Sequence, residues 1–138
     1  MSPPTVDPPE SARPAIAVRL GETRDLGALV AVHVRSSKAA YSHIFPSDAP
    51  FPSDEDIAAR WRPALAEDGT SAVFVAELEG AIVGGAIGDV APTARGFGNL
   101  RHLYVDPARW GSGAGRALHG AVVDWCRAGG ADELELWV

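Results

Sequence analysis

Between Leu103 and Arg116 the sequence reads LYVDPARWGSGAGR, and no other stretch constrains the fold as much. A run of strand formers ends at Asp106-Pro107, and Gly111, Gly113 and Gly115 then alternate directly before a segment with helical spacing. Glycine lets the backbone turn where other residues cannot and lets a ligand approach it closely. A helix that starts in such a loop points the unpaired N–H groups of its first turn, and the positive end of its dipole, outward. The expected site is therefore an anion site, with Arg116 adding a charge-assisted contact to a phosphate. Two other glycine motifs fail on spacing. A dinucleotide fingerprint, G-x-G-x-x-G, counted from Gly111 requires glycine where Arg116 stands, and counted from Gly113 requires it at Leu118. A P-loop requires G-K-[ST], and the run has no such lysine. The plain alternative is a loop that only joins a strand to a helix.

The rest of the chain supplies what that run must pack against. Its 138 residues suit one domain. Residues 1–14 carry Pro3, Pro4, Pro8, Pro9 and Pro14 with almost nothing apolar and are expected to be a flexible tail, leaving a domain over 15–138. Ala15 to Leu20 reads as a strand, and Thr23 to Tyr41 as a helix with Leu26, Leu29, Val30, His33, Val34, Ser37 and Tyr41 on one face. After a proline-rich loop, Ser53 and Asp56 form a capping-box signal ahead of Ile57, Trp61 and Leu65, and Pro63 should end or kink that helix. Ala72–Leu78 and Ala81–Val90 read as a hairpin about Glu79-Gly80, and Ala91–Gly98 as a loop. Leu100–Val105 reads as a strand covered on both faces, the segment up to Ala128 as a helix stopped by Gly129-Gly130, and Glu133–Val138 as a last strand. The order β-α-α-β-β-β-α-β indicates an α/β domain of the α+β type, a mixed sheet flanked by helices.

Charge and composition narrow the function. The net charge of −6 argues against docking on nucleic acid or an anionic membrane. Cys126, the single cysteine, cannot form an internal disulfide and falls far short of a metal cluster, so no metal is expected. The apolar run Ala81–Gly88 is too short to span a bilayer, and no secretory signal is visible at the N-terminus. The expectation is a soluble, cytoplasmic protein.

The run L-Y-V-D-P-x-x-W-G-x-G-x-G-R-A-L resembles motif A of the GNAT superfamily of N-acetyltransferases. That motif is written [Q/R]-x-x-G-x-[G/A], and Trp110 to Gly115 matches it except at the first position. The order of elements over 15–138 also resembles that family. The resemblance implies acetyl-CoA as cosubstrate, with its pyrophosphate on the loop formed by Trp110, Gly111, Ser112, Gly113, Ala114, Gly115 and Arg116. It implies a pantetheine arm lying like an added strand along Leu103, Tyr104 and Val105, and a backbone N–H there stabilising the developing oxyanion. A small-molecule or peptide amine then attacks the thioester directly, after a base has removed a proton.

Many members carry Glu four residues before the Leu of this strand, where this chain has Asn99. Asn99 is not a base, so its expected catalytic role is to position a water. His102 is an alternative base with a suitable intrinsic pKa, set against the bland reading of a buried structural histidine. Glu133 and Glu135 are further options. The first two helices wall the amine site in the family. That points to His33 and Tyr41 as substrate contacts, near Ser36, Ser37 and His43, although His33 on an apolar face also fits a core histidine. Asp48, Asp54, Glu55 and Asp56 are a potential lure for a cationic amine, against the plainer reading that Asp54 to Asp56 favour a helix N-terminus. Cys126 beside Trp125 reads as inert packing.

The family continues beyond this last strand with another helix and two strands, and that helix supplies a tyrosine acting on the leaving thiolate. Neither Tyr41 nor Tyr104 matches it. The chain is accordingly expected to be a fragment, to be completed by another chain, or to be impaired in catalysis. Its uncovered C-terminal strand is an association liability, so the isolated chain is expected to be poorly soluble or a homo-oligomer through that strand. A non-catalytic acyl-CoA-binding module is the alternative function, because it would keep the loop without the base and the thiol acid.

Overall fold

A hairpin forms the centre of the sheet. Strands β2 (Ser71–Leu78) and β3 (Ala81–Val90) pair antiparallel across Glu79-Gly80, whose φ angles of 53° and 81° give the left-handed turn that suits the twist of paired strands. On one side β2 pairs with β1 (Ala17–Leu20), and on the other β3 pairs with β4 (Phe97–Val105), both antiparallel. Strand β5 (Glu133–Leu136) joins β4 in parallel, giving the order β1-β2-β3-β4-β5. The computed structural model describes residues 15–42, 44–46, 48–66, 70–90, 97–131 and 133–136. The tail expected over 1–14, His43 and the end of the last strand at 137–138 lie outside them.

Helices α1 (Leu26–Tyr41) and α2 (Asp54–Trp61) cover one face of the sheet, and α3 (Ala114–Ala128) covers the other. Ser53 caps α2 as its sequence pattern predicts: its hydroxyl accepts from the Asp56 amide at 3.1 Å, and the Asp56 carboxylate accepts from the Ser53 amide at 3.3 Å. Pro63 follows two residues after the helix ends. Leu29, Ile57, Trp61, Val73, Val75 and Ile87 fill the core beneath α1 and α2. Phe74, Leu100, Val105, Leu118, Val122 and Cys126 fill the core beneath α3. The two layers close on β3 because it carries glycine: a Cβ at Gly85 would stand 2.3 Å from the Leu29 Cδ2 atom.

Two details of β4 position the site. The register shifts between Ile87↔His102 and Gly88↔Leu100, so Arg101 is an extra, bulged residue. Beyond the bulge, Tyr104 packs with the α1–α2 core while Leu103 and Val105 pack with the α3 core. The strand also starts earlier than its sequence suggests. Phe97 and Gly98, expected in the preceding loop, already pair with Glu133 and Leu134. A Cβ at Gly98 would meet the Cys126 Sγ atom at 2.7 Å, so its glycine serves the close approach of α3 rather than a turn.

Candidate active site

The first half of the site is backbone. Asp106 ends β4, accepts from the Ala108 amide at 3.1 Å and starts a short 3-10 turn over Pro107–Arg109. Gly111 and Gly113 have φ of 81° and 94°, left-handed values that other residues adopt at a cost. Gly113 is the N-cap of α3, and the Ser112 hydroxyl accepts from the Ala114 amide at 3.3 Å. The amides of Gly113, Gly115 and Arg116 take no acceptor among the described residues. No atom lies within 4 Å of where a Cβ on Gly111 or Gly113 would be, so the loop faces open space. Arg116 is exposed and makes no ion pair among the described residues. Ala114 is buried in the α3 core, so of its atoms only the backbone faces the loop.

Alongside the loop, half of β4 keeps a free edge. The Asp106 amide donates to the Val83 carbonyl at 2.8 Å, and antiparallel alternation then turns the amides of Leu103 and Val105 away from β3. Strand β5 pairs with Phe97 to Leu100 only, so among the described residues no strand pairs with that outer edge. Trp110 reaches back to it, its indole N–H donating to the Val105 carbonyl at 2.8 Å while the ring stays 53% exposed. The free loop amides and the outward amides of Leu103 and Val105 are donors of the kind that suits a phosphate-bearing, extended ligand.

The second half is made of side chains. A cavity of roughly 610 Å³ opens between α1, the loop after it, α2 and β4. It gathers His33, Ser37, Lys38 and Tyr41 from α1, Phe45 and Phe51 from the loop, Ile57 and Arg60 from α2, and Tyr104 from β4. Both predicted substrate residues, His33 and Tyr41, therefore share one cavity. His33 is buried, stacks on Tyr104 with ring centroids 3.9 Å apart, and accepts at Nδ1 from the Trp61 indole N–H at 2.9 Å. In the neutral ring the proton then sits on Nε2. Burial above all, with the nearby His102 and Arg60, pushes the His33 pKa down to about 4.

His102 completes an aromatic cluster, with its ring 6.1 Å from His33, 5.9 Å from Trp61 and 5.8 Å from Tyr104. Burial first, then Arg101 and Arg60, lowers its pKa as well, so it is neutral near pH 7. Burial likewise raises the Tyr104 phenol, which keeps it protonated. The site therefore holds neutral groups able to take or relay a proton, with fixed cations around them.

Asn99 stands apart from the cavity lining. It lies opposite Asp89 of β3 and Glu135 of β5, and its Oδ1 is the one buried side-chain polar atom without a partner among the described residues. Of the acids in the loop and at the start of α2, none lines the cavity: Asp56 closes the capping box and Glu55 pairs with Arg62. Cys126 is buried against Gly98, and burial raises its thiol pKa, as inert packing requires. Lys38, Phe51 and Arg60 escaped the sequence reading, since nothing in their spacing marks them as neighbours. Arg35 of α1 ties the halves together through a two-point contact with Asp106, at 2.6 and 3.0 Å. No helix among the described residues is long and apolar enough to cross a membrane.

Comparison with known proteins agrees with this geometry. The family model described as Acetyltransferase (GNAT) family matches residues 37–138, well over half of the chain. Among solved structures, the fold is similar to an aminoglycoside N-acetyltransferase, AAC(6′)-Iy, in complex with CoA (TM-score 0.68, 18% identity, covering 91% of this chain and 78% of that one). It is also similar to a ribosomal-protein-alanine N-acetyltransferase from Brucella melitensis biovar Abortus 2308 (TM-score 0.66, 22% identity, 88% and 80% covered). A third is an aminoglycoside acetyltransferase from an uncultured soil metagenomic sample in complex with sisomicin (TM-score 0.63, 21% identity, 89% and 77% covered). Among curated protein sequences, none matches the chain.

Proposed function

The chain belongs to the acetyltransferase (GNAT) family, whose chemistry is N-acetyl transfer, and from that premise we propose that it moves the acetyl group of acetyl-CoA to a primary amine with both substrates bound. The observation that carries this reading is the run of unpaired amides at Gly113, Gly115 and Arg116 beside the free edge of β4. Acetyl-CoA supplies an activated thioester when bound. The loop from Trp110 to Arg116 holds its pyrophosphate through backbone N–H groups, with the Arg116 guanidinium adding charge. Leu103 and Val105 offer strand-edge amides to the pantetheine arm, and one of them donates to the acetyl oxygen, where charge develops. The acceptor is a small-molecule or peptide amine seated in the cavity against His33 and Tyr41.

A free alkylamine has a pKa near ~10.4 and reaches the site protonated, so a proton must leave before attack. Asn99 serves here as a water holder, its unpartnered Oδ1 accepting from the water that carries the proton away. His102 is the second group for this step. It is neutral, makes no hydrogen bond among the described residues, and lies beside the cavity residues His33 and Tyr104.

The test is thermal unfolding of the 138-residue chain with acetyl-CoA, and with NAD as control. At 100 times its Kd the ligand stabilises the fold by roughly 2.7 kcal/mol, an easily seen shift in Tm. A shift with acetyl-CoA alone supports the loop assignment, and CoA release on adding amines then supports transfer. A cooperative transition that acetyl-CoA leaves unmoved overturns the reading. Binding without CoA release from any amine would instead leave a non-catalytic acyl-CoA-binding module.

A further inference from the structure

The charged residues that line the cavity are all of one sign. The chain as a whole carries a net charge of −6, yet among the described residues Lys38 and Arg60 are the formally charged side chains in the lining, and no Asp or Glu joins them. Neither cation is neutralised: no carboxylate pairs with Lys38 or Arg60 among the described residues. The Lys38 ammonium instead stands 5.3 Å from the centroid of the Phe51 ring, which keeps its charge at the rim. Arg60 is felt deeper, since it helps hold His33 and His102 neutral.

Apart from Ser37, Ser42 and His33, the remaining wall is aromatic or apolar. Tyr41, Phe45 and Phe51 line the cavity and are 50%, 57% and 39% exposed, so three large aromatic rings stay uncovered around one opening. Large apolar side chains left open beside fixed charge mark a place where a ligand of matching chemistry binds. A polycationic amine is a poor match, because two unpaired cations would repel it and no carboxylate would receive it.

Deepening the transfer reading above, and resting on it for the chemical step, we propose that the acceptor is an aminocarboxylate with an apolar body. Its carboxylate lies between Lys38 and Arg60, its apolar part lies against Tyr41, Phe45 and Phe51, and its amine is directed toward Tyr104 and β4. Arg60 offers a planar, two-pronged donor to the carboxylate, and Lys38 a mobile point charge.

The experiment is calorimetric titration of the chain, with CoA present, by L-phenylalanine, L-phenylalaninamide, phenethylamine and spermidine. The expected order places L-phenylalanine first, at least about tenfold tighter than its amide, with spermidine weakest. Arg60→Gln and Lys38→Met should each weaken L-phenylalanine about tenfold, leave acetyl-CoA affinity as it was, and bind the cationic phenethylamine no more weakly than the native chain does. Arg60→Glu should turn the order toward spermidine. Equal affinity for acid and amide, a preference for spermidine in the native chain, or no binding of any amine would overturn the proposal. Titration with acetyl-CoA separates the two readings. If acetyl-CoA fails to bind while L-phenylalanine binds through Lys38 and Arg60, the transfer reading falls and the cavity assignment stands; the reverse pattern removes the cavity assignment alone.

Discussion

Two tryptophans show how differently the two halves of the site are built. Trp110 belongs to the loop half, donates its N–H to a strand-edge carbonyl at 2.8 Å and keeps 53% of its surface exposed. Trp61 belongs to the cavity half, donates its N–H to His33 at 2.9 Å and is fully buried. The loop half is a backbone shape that survives most side-chain changes. The cavity half is a set of side chains held in place by a buried aromatic and two histidines. One half is robust and generic, and the other is fragile and selective.

The largest test of that contrast is truncation of both rings. Trp61→Ala should cost about 3–5 kcal/mol of unfolding free energy, since it empties a sealed site. Trp110→Ala should cost about 1 kcal/mol, for a half-exposed ring and one hydrogen bond. Denaturant unfolding measures both, and equal losses would break the comparison.

Acid should also attack the cavity half. His33 has a pKa near 6.5 in the unfolded chain and about 4 in the fold, so between these values only the unfolded chain binds the proton. Its contribution is complete above pH ~6.5 and about 3 kcal/mol of it is lost as pH falls to ~4. The unfolding free energy should fall accordingly as pH is lowered across that window, and His33→Gln should remove this part of the pH dependence while keeping an acceptor for Trp61.

The loop half should separate stability from affinity. Gly113→Ala must hold a left-handed φ and should cost about 1–2 kcal/mol. Gly115 lies within α3, and a Cβ there meets nothing closer than 3.7 Å, so Gly115→Ala should raise stability by up to about 0.8 kcal/mol. Both should weaken acetyl-CoA, by calorimetry. A Gly115→Ala chain that binds acetyl-CoA normally would show that the ligand does not approach this backbone closely. The smallest effect belongs to the link between the halves: Arg35→Ala removes a half-exposed ion pair and should cost less than about 1 kcal/mol in the same denaturant assay.

The same contrast explains what the sequence disclosed. A backbone site announces itself, because the glycines that permit Gly111 and Gly113 to turn and the Pro107 that ends β4 are contiguous in the chain. Local signals also sufficed for the Ser53 cap, the Glu79-Gly80 turn and the stop at Pro63. The cavity needed long-range packing. His33 and Tyr41 were within reach because the helix face that holds them is periodic, but Lys38 and Arg60 come to line one cavity only when α1 and α2 lie side by side. The early start of β4 escaped for a similar reason, since Gly98 reads locally as a turn and acts as a seat for Cys126. The bulge at Arg101 decides that Leu100 faces α3 while His102, two residues on, faces the other layer with Tyr104, and no single-strand pattern announces an inserted residue.

Gly85 carries a consequence of its own. Helix α1 rests directly on the backbone of β3 there, with the Leu29 side chain occupying the volume a methyl group would need. The packing beneath the cavity wall therefore depends on a residue that does not line the cavity. Because α1 and α2 wall the cavity, a side chain at position 85 would have to displace the Leu29 side chain and press on the Trp61 ring beneath that wall. A replacement at Gly85 would look like a change in the sheet, while the side chains it disturbs first, Leu29 and Trp61, are those packed under the cavity.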